Sequence, residues 1–249
     1  MVLKQLLKRL LILITPRVIK RIISHPYEQK IKTLTEINKH INLSYSQEGE
    51  DLVMYRLLNH KSNGFYVDIG AHHPFRFSNT YKFYLLGWNG MNIDPLPGIM
   101  KYFQEERPRD INLEIAINSE NGAKTFYYMF DEPAYNTLSE QAAKEREKIV
   151  PTDKVINVIS IPTYSLGEIL HQYIAVGQEI DFFSIDVEGM DFDVIKSNDW
   201  SKFKPKFIIL ESLNSMLKHD LNSDISIYLS HLDYQLVSKT ANSLIFKRV

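Results

Sequence analysis

The hydrophobic positions change period along the chain. Leu3, Leu7, Leu10 and Ile14 repeat on one helical face, with Leu6 and Leu13 beside them and Lys4, Gln5, Lys8 and Arg9 opposite, until Pro16 breaks the pattern. From residue 44 onward, short apolar runs alternate with amphipathic stretches. Ser46 is placed to cap a helix that opens on Glu48, Glu50 and Asp51 and runs to Asn63-Gly64. FYVDIGA (65–71) reads as a strand, 79–86 as a helix, GWNGMNIDP (87–95) as a strand closing at Asp94, 97–106 as a helix and INLEIAI (111–117) as a third strand. Asn121-Gly122 is a hairpin signal ahead of the aromatic run KTFYYMF (124–130). Thr137 and Glu140 have capping-box spacing for a helix that stops before Pro151. A strand at 155–161, a helix at 165–173, the strand IDFFSID (180–186), a helix at 190–198, the strand at 206–212, a helix at 224–232 and two terminal strands, YQLVSK and SLIFKRV, complete the pattern.

Alternation of apolar strands with helices predicts an α/β fold, a doubly wound and mostly parallel sheet covered on both faces. Ligands of such sheets lie beyond the carboxyl ends of the strands. Those ends are Asp68–His73, Asp94–Pro95, Ala116–Ile117, Asp186–Gly189 and Glu211–Ser212, rich in acids and poor in phosphate-binding groups.

The absence of cysteine removes disulfides, zinc ribbons, iron–sulfur clusters and thiol nucleophiles. The net charge of −1 divides unevenly, with +7 over residues 1–32 and −8 over the rest. An acidic body speaks against a nucleic-acid partner. The basic, amphipathic head, residues 1–24, fits either a helix lying in an anionic membrane surface or one packed on its own domain or a second subunit. Its longest apolar run, Leu10–Ile14, is too short to span a bilayer. Against a secretory signal stand Lys8, Arg9 and the lack of a small-x-small site before Pro16.

Asp94 follows the D-I-G-A-H-H-P turn by the spacing expected of an acid that accepts both hydroxyls of a ribose. A single glycine, Gly70, and the acid Asp68 suit a pyrophosphate poorly. They suit a nucleoside carrying an amino acid and a positive charge, S-adenosylmethionine, better. The alternative is a tight strand-to-helix turn with no ligand.

The runs SYSQEGEDLV (44–53), FYVDIGAHHPFRFSNT (65–80), GWNGMNIDP (87–95), EPAYNTLS (132–139) and IDFFSIDVEGMDFDVIKSNDW (180–200) resemble the FkbM family of S-adenosylmethionine-dependent methyltransferases, in the family's order. The resemblance covers roughly residues 44–215 and implies a class I methyltransferase (Rossmann-like) fold, a seven-stranded sheet whose last strand is antiparallel, preceded by the amphipathic extension 1–43. It implies O-methylation of a sugar or related hydroxyl, in a subgroup similar to those found with bacterial surface-polysaccharide genes. That in turn implies a small-molecule or lipid-linked sugar acceptor and a cytoplasmic enzyme, with the membrane's inner face and a homo-oligomer as further expectations. His72 and Pro74 depart from the asparagine and glycine common in the family. Carried over, Asp68, Gly70 and Ala71 form the cofactor turn, Asp94 holds the ribose, and Ala116 and Ile117 wall the adenine. Gln47, Glu50 and Asn79 cover the methionine end.

A hydroxyl acceptor needs a base within about 3 Å. The candidates are His72, His73, Asp186 and Glu188, with Asp186 preferred because it closes the strand that faces the methyl group in this fold. Asp186 and Glu211 end adjacent strands and could hold a magnesium-type ion, although nothing in the spacing demands one. Glu211 otherwise lines the acceptor site, as do Tyr135, Asn136 and Thr137 of the loop beside the sheet. Three rivals are weaker. A nicotinamide enzyme lacks its glycines, and a nucleic-acid methyltransferase would need DPLP (94–97) after a different strand. A non-catalytic nucleoside-binding or scaffold protein has no need of Asp94 and Asp186 together.

Overall fold

The computed structural model describes residues 40–119, 124–213 and 215–249. The amphipathic helix expected over residues 1–24 and the Asn121-Gly122 turn lie outside them. Among the described residues no helix is long and apolar enough to cross a membrane.

Seven strands form the main sheet: β1 (Phe65–Ile69), β2 (Asn89–Ile93), β3 (Ile111–Leu113), β7 (Phe182–Ile185), β8 (Phe207–Glu211), β9 (Tyr234–Lys239) and β10 (Ser243–Arg248). Their order is β3-β2-β1-β7-β8-β10-β9, with β10 antiparallel to both neighbours and the first five strands parallel. The order reverses between β1 and β7, which opens a crevice at their carboxyl ends. Three further strands, β4 (Ala116–Ile117), β5 (Lys124–Phe130) and β6 (Val155–Tyr164), make a second sheet in the order β4-β6-β5.

Period-two alternation decides which face each strand residue covers. Val67, Ile69, Phe183, Ile185, Ile208, Leu210, Leu244 and Phe246 enter one buried cluster. They pack there with Leu166, Ile169 and Leu170 of α5 (Leu166–Tyr173), Val194 and Ile195 of α6 (Asp191–Lys196) and Leu229 of α8 (Asp224–Ser230). The intervening Tyr66, Phe182, Phe207, Ile209 and Ile245 enter the other, with Met54 of α1 (Glu50–Leu57), Phe83 and Tyr84 of α2 (Tyr81–Leu85) and Trp88. Asp68, Asn92 and Ser184 share the parity of this second face near the carboxyl ends, where a polar network replaces the apolar core.

Arg107 anchors that network. It lies just after α3 (Ile99–Glu106) and is fully buried. Its Nη1 donates to Thr80 Oγ1 (2.8 Å) and Asn92 Oδ1 (3.0 Å), and its Nη2 to Ser78 Oγ (2.7 Å) and the Pro74 carbonyl. Thr80 in turn donates to Asp68 Oδ2 (2.6 Å). One guanidinium thus fastens the whole segment from Pro74 to Thr80 under the site.

Several local expectations are corrected. The run 111–117 is broken: Ile111–Leu113 stays in the main sheet, while Ala116–Ile117 pairs in parallel with Thr163–Tyr164. The strands flanking the expected hairpin, β4 and β5, both pair with β6, which lies between them. Ser139, not Thr137, caps α4 (Glu140–Ile149) by accepting from Ala142 N (3.1 Å). Gly49 occupies the N-cap of α1, and Ser46 Oγ instead accepts from Asp51 N (3.2 Å). A short helix α7 (Leu217–Asp220) and a 3-10 turn at Pro133–Tyr135 complete the connections.

Gly70 leaves β1 with φ 79°, and a Cβ there would lie 1.7 Å from the Asp186 carbonyl oxygen. Any side chain at this position would push β1 and β7 apart. Gly70→Ala is expected to cost about 3 kcal/mol or more, lowering the melting temperature by roughly 6–12 °C for a domain of this size. A melting temperature within a degree of the parent would show that the strands tolerate the separation.

Candidate active site

A cavity of about 350 Å³ opens at the carboxyl ends of β1, β2, β7 and β8, roofed by β4 and the loop that follows β5. Its size is in the range of small-molecule sites.

One half of the cavity is built by the turn after β1. Asp94 is 93% buried, and both its carboxylate oxygens accept backbone N–H groups, Oδ2 from His72 (2.8 Å) and Oδ1 from Leu96 (2.9 Å). Burial pushes its pKa up to about 6, with those two bonds opposing the shift, so the carboxylate is charged at neutral pH. Gly70, Ala71 and Asp68 line the same side; Ala116 and Ile117, with Ile115 and Tyr127, make an apolar wall. Gln47 and Asn79 also reach the cavity, and Asn79 Nδ2 donates to Ser184 Oγ (3.1 Å).

Two expected residues lie elsewhere. Glu50 is 97% buried in the joint between α1 and the β9–β10 turn, where Oε1 accepts from Ser243 Oγ (2.8 Å) and Oε2 from Glu48 N (2.9 Å). It is therefore a structural acid of that joint. His73 does not line the cavity. His72 takes a left-handed conformation (φ 51°), and the next ring turns back on its own loop. There His73 Nδ1 accepts from Phe75 N (3.2 Å) and Arg76 N (3.0 Å), and the ring meets Phe75 and Tyr102 edge-on. With its acceptor nitrogen engaged, His73 serves its own turn and is not brought to the cavity. His72 does face the cavity; its Nε2 is buried without a partner, and burial, aided by the Arg76 charge, lowers its pKa to about 4. It is neutral at pH 7.

The loop 131–139 closes the opposite side. Asn136 Oδ1 accepts from Phe130 N (2.8 Å), and Thr137 Oγ1 donates to the Glu188 carbonyl (2.7 Å), so these two residues line the cavity but spend polar atoms on holding the loop. Tyr135 faces the cavity with the Arg146 guanidinium 3.5 Å from its ring centre. Arg76 and Glu132 make a two-bond ion pair, 3.0 Å each, between the turn after β1 and this loop.

The other half, at the ends of β7 and β8, is acidic. One carboxylate oxygen each from Asp186, Glu188 and Glu211 lies within 4.8 Å of the others, and all three residues line the cavity. Burial raises the pKa of each first, and the charges of their acidic neighbours raise it further. Asp186 stands well above the ordinary carboxylate range, and Glu188 is pushed up to about 7. Such groups titrate as a unit, with at least one proton shared among them near neutrality. The expected residues Asp186, Glu188, Glu211, Asp94, Asp68, Gly70, Ala71, Gln47, Asn79, Ala116, Ile117, Tyr135, Asn136 and Thr137 are brought to one hollow. Sequence reasoning passed over Arg76, Glu132, Ser184 and Arg146. The alternation of β7 could have exposed Ser184, which has the parity of Asp68 across the register pair. Arg76 and Glu132 come from separate loops and Arg146 from the last turn of α4, and none carried a local signal.

A family model described as the methyltransferase FkbM domain matches residues 68–236, more than half of the chain. No curated protein matches it. Among solved structures, a putative RNA methyltransferase from Pyrococcus horikoshii is similar at 9% identity, over 84% of this chain and 91% of that one, with a TM-score of 0.41. A TehB-like SAM-dependent methyltransferase from Corynebacterium glutamicum is similar at 10% identity, over 91% and 98%, with a TM-score of 0.37. The C-terminal domain of precorrin-6Y C5,15-methyltransferase from Rhodobacter capsulatus is similar at 10%, over 80% and 88%, with a TM-score of 0.38. The domain match, over the class I strand order and the cavity at its switch point, carries the assignment: the chain belongs to the FkbM methyltransferase family and is an S-adenosylmethionine-dependent methyltransferase.

Proposed function

We propose that the enzyme is an O-methyltransferase whose acceptor is a hydroxyl of a sugar or glycan precursor, small or lipid-linked, in the assembly of a bacterial surface polysaccharide. The observation that carries the reading is that Asp94 and the Asp186–Glu188–Glu211 cluster open into one cavity. The donor half suits S-adenosylmethionine. Asp94, with one lone pair on each oxygen already turned to the backbone, keeps the others for two ribose hydroxyls. Ala116 and Ile117 flank the base, the backbone of Gly70 and Ala71 lies beneath the sugar, and Gln47, Asp68 and Asn79 receive the amino-acid end.

When bound, that cofactor supplies an electrophilic methyl group on a sulfonium. The chain places the acceptor and removes its proton, and most of the acceleration comes from alignment and exclusion of water. Asp186 Oδ1, shut from solvent and without a hydrogen-bond partner, accepts the hydroxyl proton as the O–CH₃ bond forms and the S–CH₃ bond breaks. Glu188 and Glu211 accept hydrogen bonds from neighbouring hydroxyls, and Tyr135 offers a flat ring to a sugar face. An acidic acceptor side repels phosphates, which argues for a hydroxyl away from any diphosphate and against nucleic acid. The basic head draws the enzyme to an anionic membrane surface, where lipid-linked acceptors reside.

Calorimetry is expected to show that Asp94→Ala weakens S-adenosylmethionine binding at least about tenfold, or 1.4 kcal/mol; an unchanged Kd in a variant with parental circular dichroism would remove the ribose role. In Asp186→Asn, cofactor affinity should persist while kcat on a glycan-precursor acceptor falls by roughly 10²–10⁴, and turnover at the parent rate would overturn the base assignment. The parent's kcat should rise with pH from the neutral range upward as the cluster loses its protons, Glu188 standing at about 7 and Glu211 at about 10. Glu211→Gln removes a like charge and so lowers the pKa of its neighbours, which moves that limb to lower pH; a stationary limb would show that the cluster does not titrate as a unit.

A further inference from the structure

Three carboxylates from two strand ends converge in the cavity, and among the described residues only the Arg146 charge, already paired with Asp153, acts on one of them, Glu188. β7 and β8 run in parallel with Ile185 opposite Leu210, so Asp186 and Glu211, the next residue of each strand path, stand side by side. Glu188 returns to the same point, and one oxygen of each acid lies within 4.8 Å of the other two. The cations nearest the cavity are engaged elsewhere: Arg146 with Asp153 at 2.6 Å and Arg76 with Glu132 at 3.0 Å. Among the described residues, no ion pair reaches the three acids.

A second observation points to a ligand. Asp186 Oδ1 is buried with no hydrogen-bond partner. Asp191, 91% buried, likewise leaves its Oδ1 unpartnered while its charge acts on all three members of the cluster. Buried carboxylate oxygens are normally satisfied, and acids gathered around such an atom are answered either by shared protons or by a cation.

We propose that Asp186, Glu188 and Glu211 bind a hard divalent cation of the magnesium class, with its remaining coordination positions open to the cavity for acceptor oxygens. Three oxygen donors, with no imidazole or thiolate among them, match such an ion and not zinc or copper. A partly buried setting at the edge of the cavity leaves room for the waters that magnesium keeps and that acceptor hydroxyls displace. The ion would fix the hydroxyl beside Asp186 and lower its pKa; the proton still passes to a carboxylate of the cluster. The inference rests on the reading above only for what fills those open positions.

The test uses Mn²⁺ alone, titrated into the full chain without donor or acceptor, with free Mn²⁺ read by electron paramagnetic resonance. One saturable equivalent that millimolar Mg²⁺ displaces is expected, weakened at least about tenfold by Glu211→Gln and by Asp186→Asn. Both replacements are near-isosteric and relieve repulsion, so the metal-free variants should melt no lower than the parent, and Mn²⁺ should raise the melting temperature of the parent more than theirs. Absence of saturable Mn²⁺ in the parent, or an equivalent unchanged in both variants, overturns the proposal. S-adenosylmethionine binding measured in EDTA reports separately on the methyltransferase reading, so intact donor binding without Mn²⁺ eliminates the cation alone.

Discussion

The site depends on how closely β1 and β7 approach where the chain leaves the sheet. Gly70 N bonds to Ile93 O (2.9 Å) while Asp186 N bonds to Ile69 O (3.0 Å), so β1 continues its pairing on both sides to the last residue before the turn. The Asp186 carbonyl then occupies the space where a Cβ at 70 would stand. The turn after β1 and the acidic strand end are therefore not two sites brought near each other by packing. They are the two edges of one backbone contact, and their spacing is fixed as rigidly as a sheet register. Arg107 extends that rigidity outward, since its donors hold Pro74, Ser78 and Thr80 from below.

Charge is distributed unequally about this contact. On the β1–β2 side the buried acids have answers: Asp68 accepts from Thr80 within reach of the Arg107 charge, and Asp94 takes two backbone amides. On the β7–β8 side Asp186, Glu188, Asp191 and Glu211 mainly face one another. Their raised pKa values mean that the folded protein holds protons which the unfolded chain would release above its ordinary carboxylate range. Stability therefore falls as pH rises from that range toward the folded values. The fold tolerates this because two apolar clusters lie directly beneath. Concentrated negative charge at a strand end, answered only by a backbone amide at Asp186, backbone amides at Asp191 and the Arg146 charge near Glu188, is an arrangement that folding alone would not favour.

Much of the architecture was legible because buried strands write their parity into the sequence. Phe182, Phe183, Ser184 and Ile185 alternate between the two clusters, and the polar member falls where the polar network lies. Strand ends were legible for the same reason, which is why Asp94 and Asp186 could be set at one crevice. The second sheet was not, since the apolar run 111–117 carries no mark of the break at Glu114 that sends Ala116 and Ile117 to β6. Nor could local pattern tell an acid facing a cavity from one facing a turn: Glu50 and Gln47 stand three residues apart, yet only Gln47 reaches the hollow. His73 failed for a backbone reason, the positive φ of a non-glycine residue at His72, which composition does not announce.

The loop 131–139 shows how the cavity divides its boundary between fixed and yielding parts. At one end Thr137 is almost fully buried and bonded both to the Glu188 carbonyl and to Ser139 N (2.9 Å), so its loss would strand polar atoms away from water. At the other end Arg76 and Glu132 are 42% and 36% exposed, and a pair in that setting contributes no more than about 1 kcal/mol. The same loop is thus pinned where it touches the acids and held weakly where it meets the turn after β1. Opening at the Arg76–Glu132 edge would admit a ligand without disturbing the carboxylates, whereas opening at Thr137 would pull on Glu188 itself. The geometry of the acidic cluster is insulated from traffic through the mouth, which is the condition for alignment to be set before an acceptor arrives.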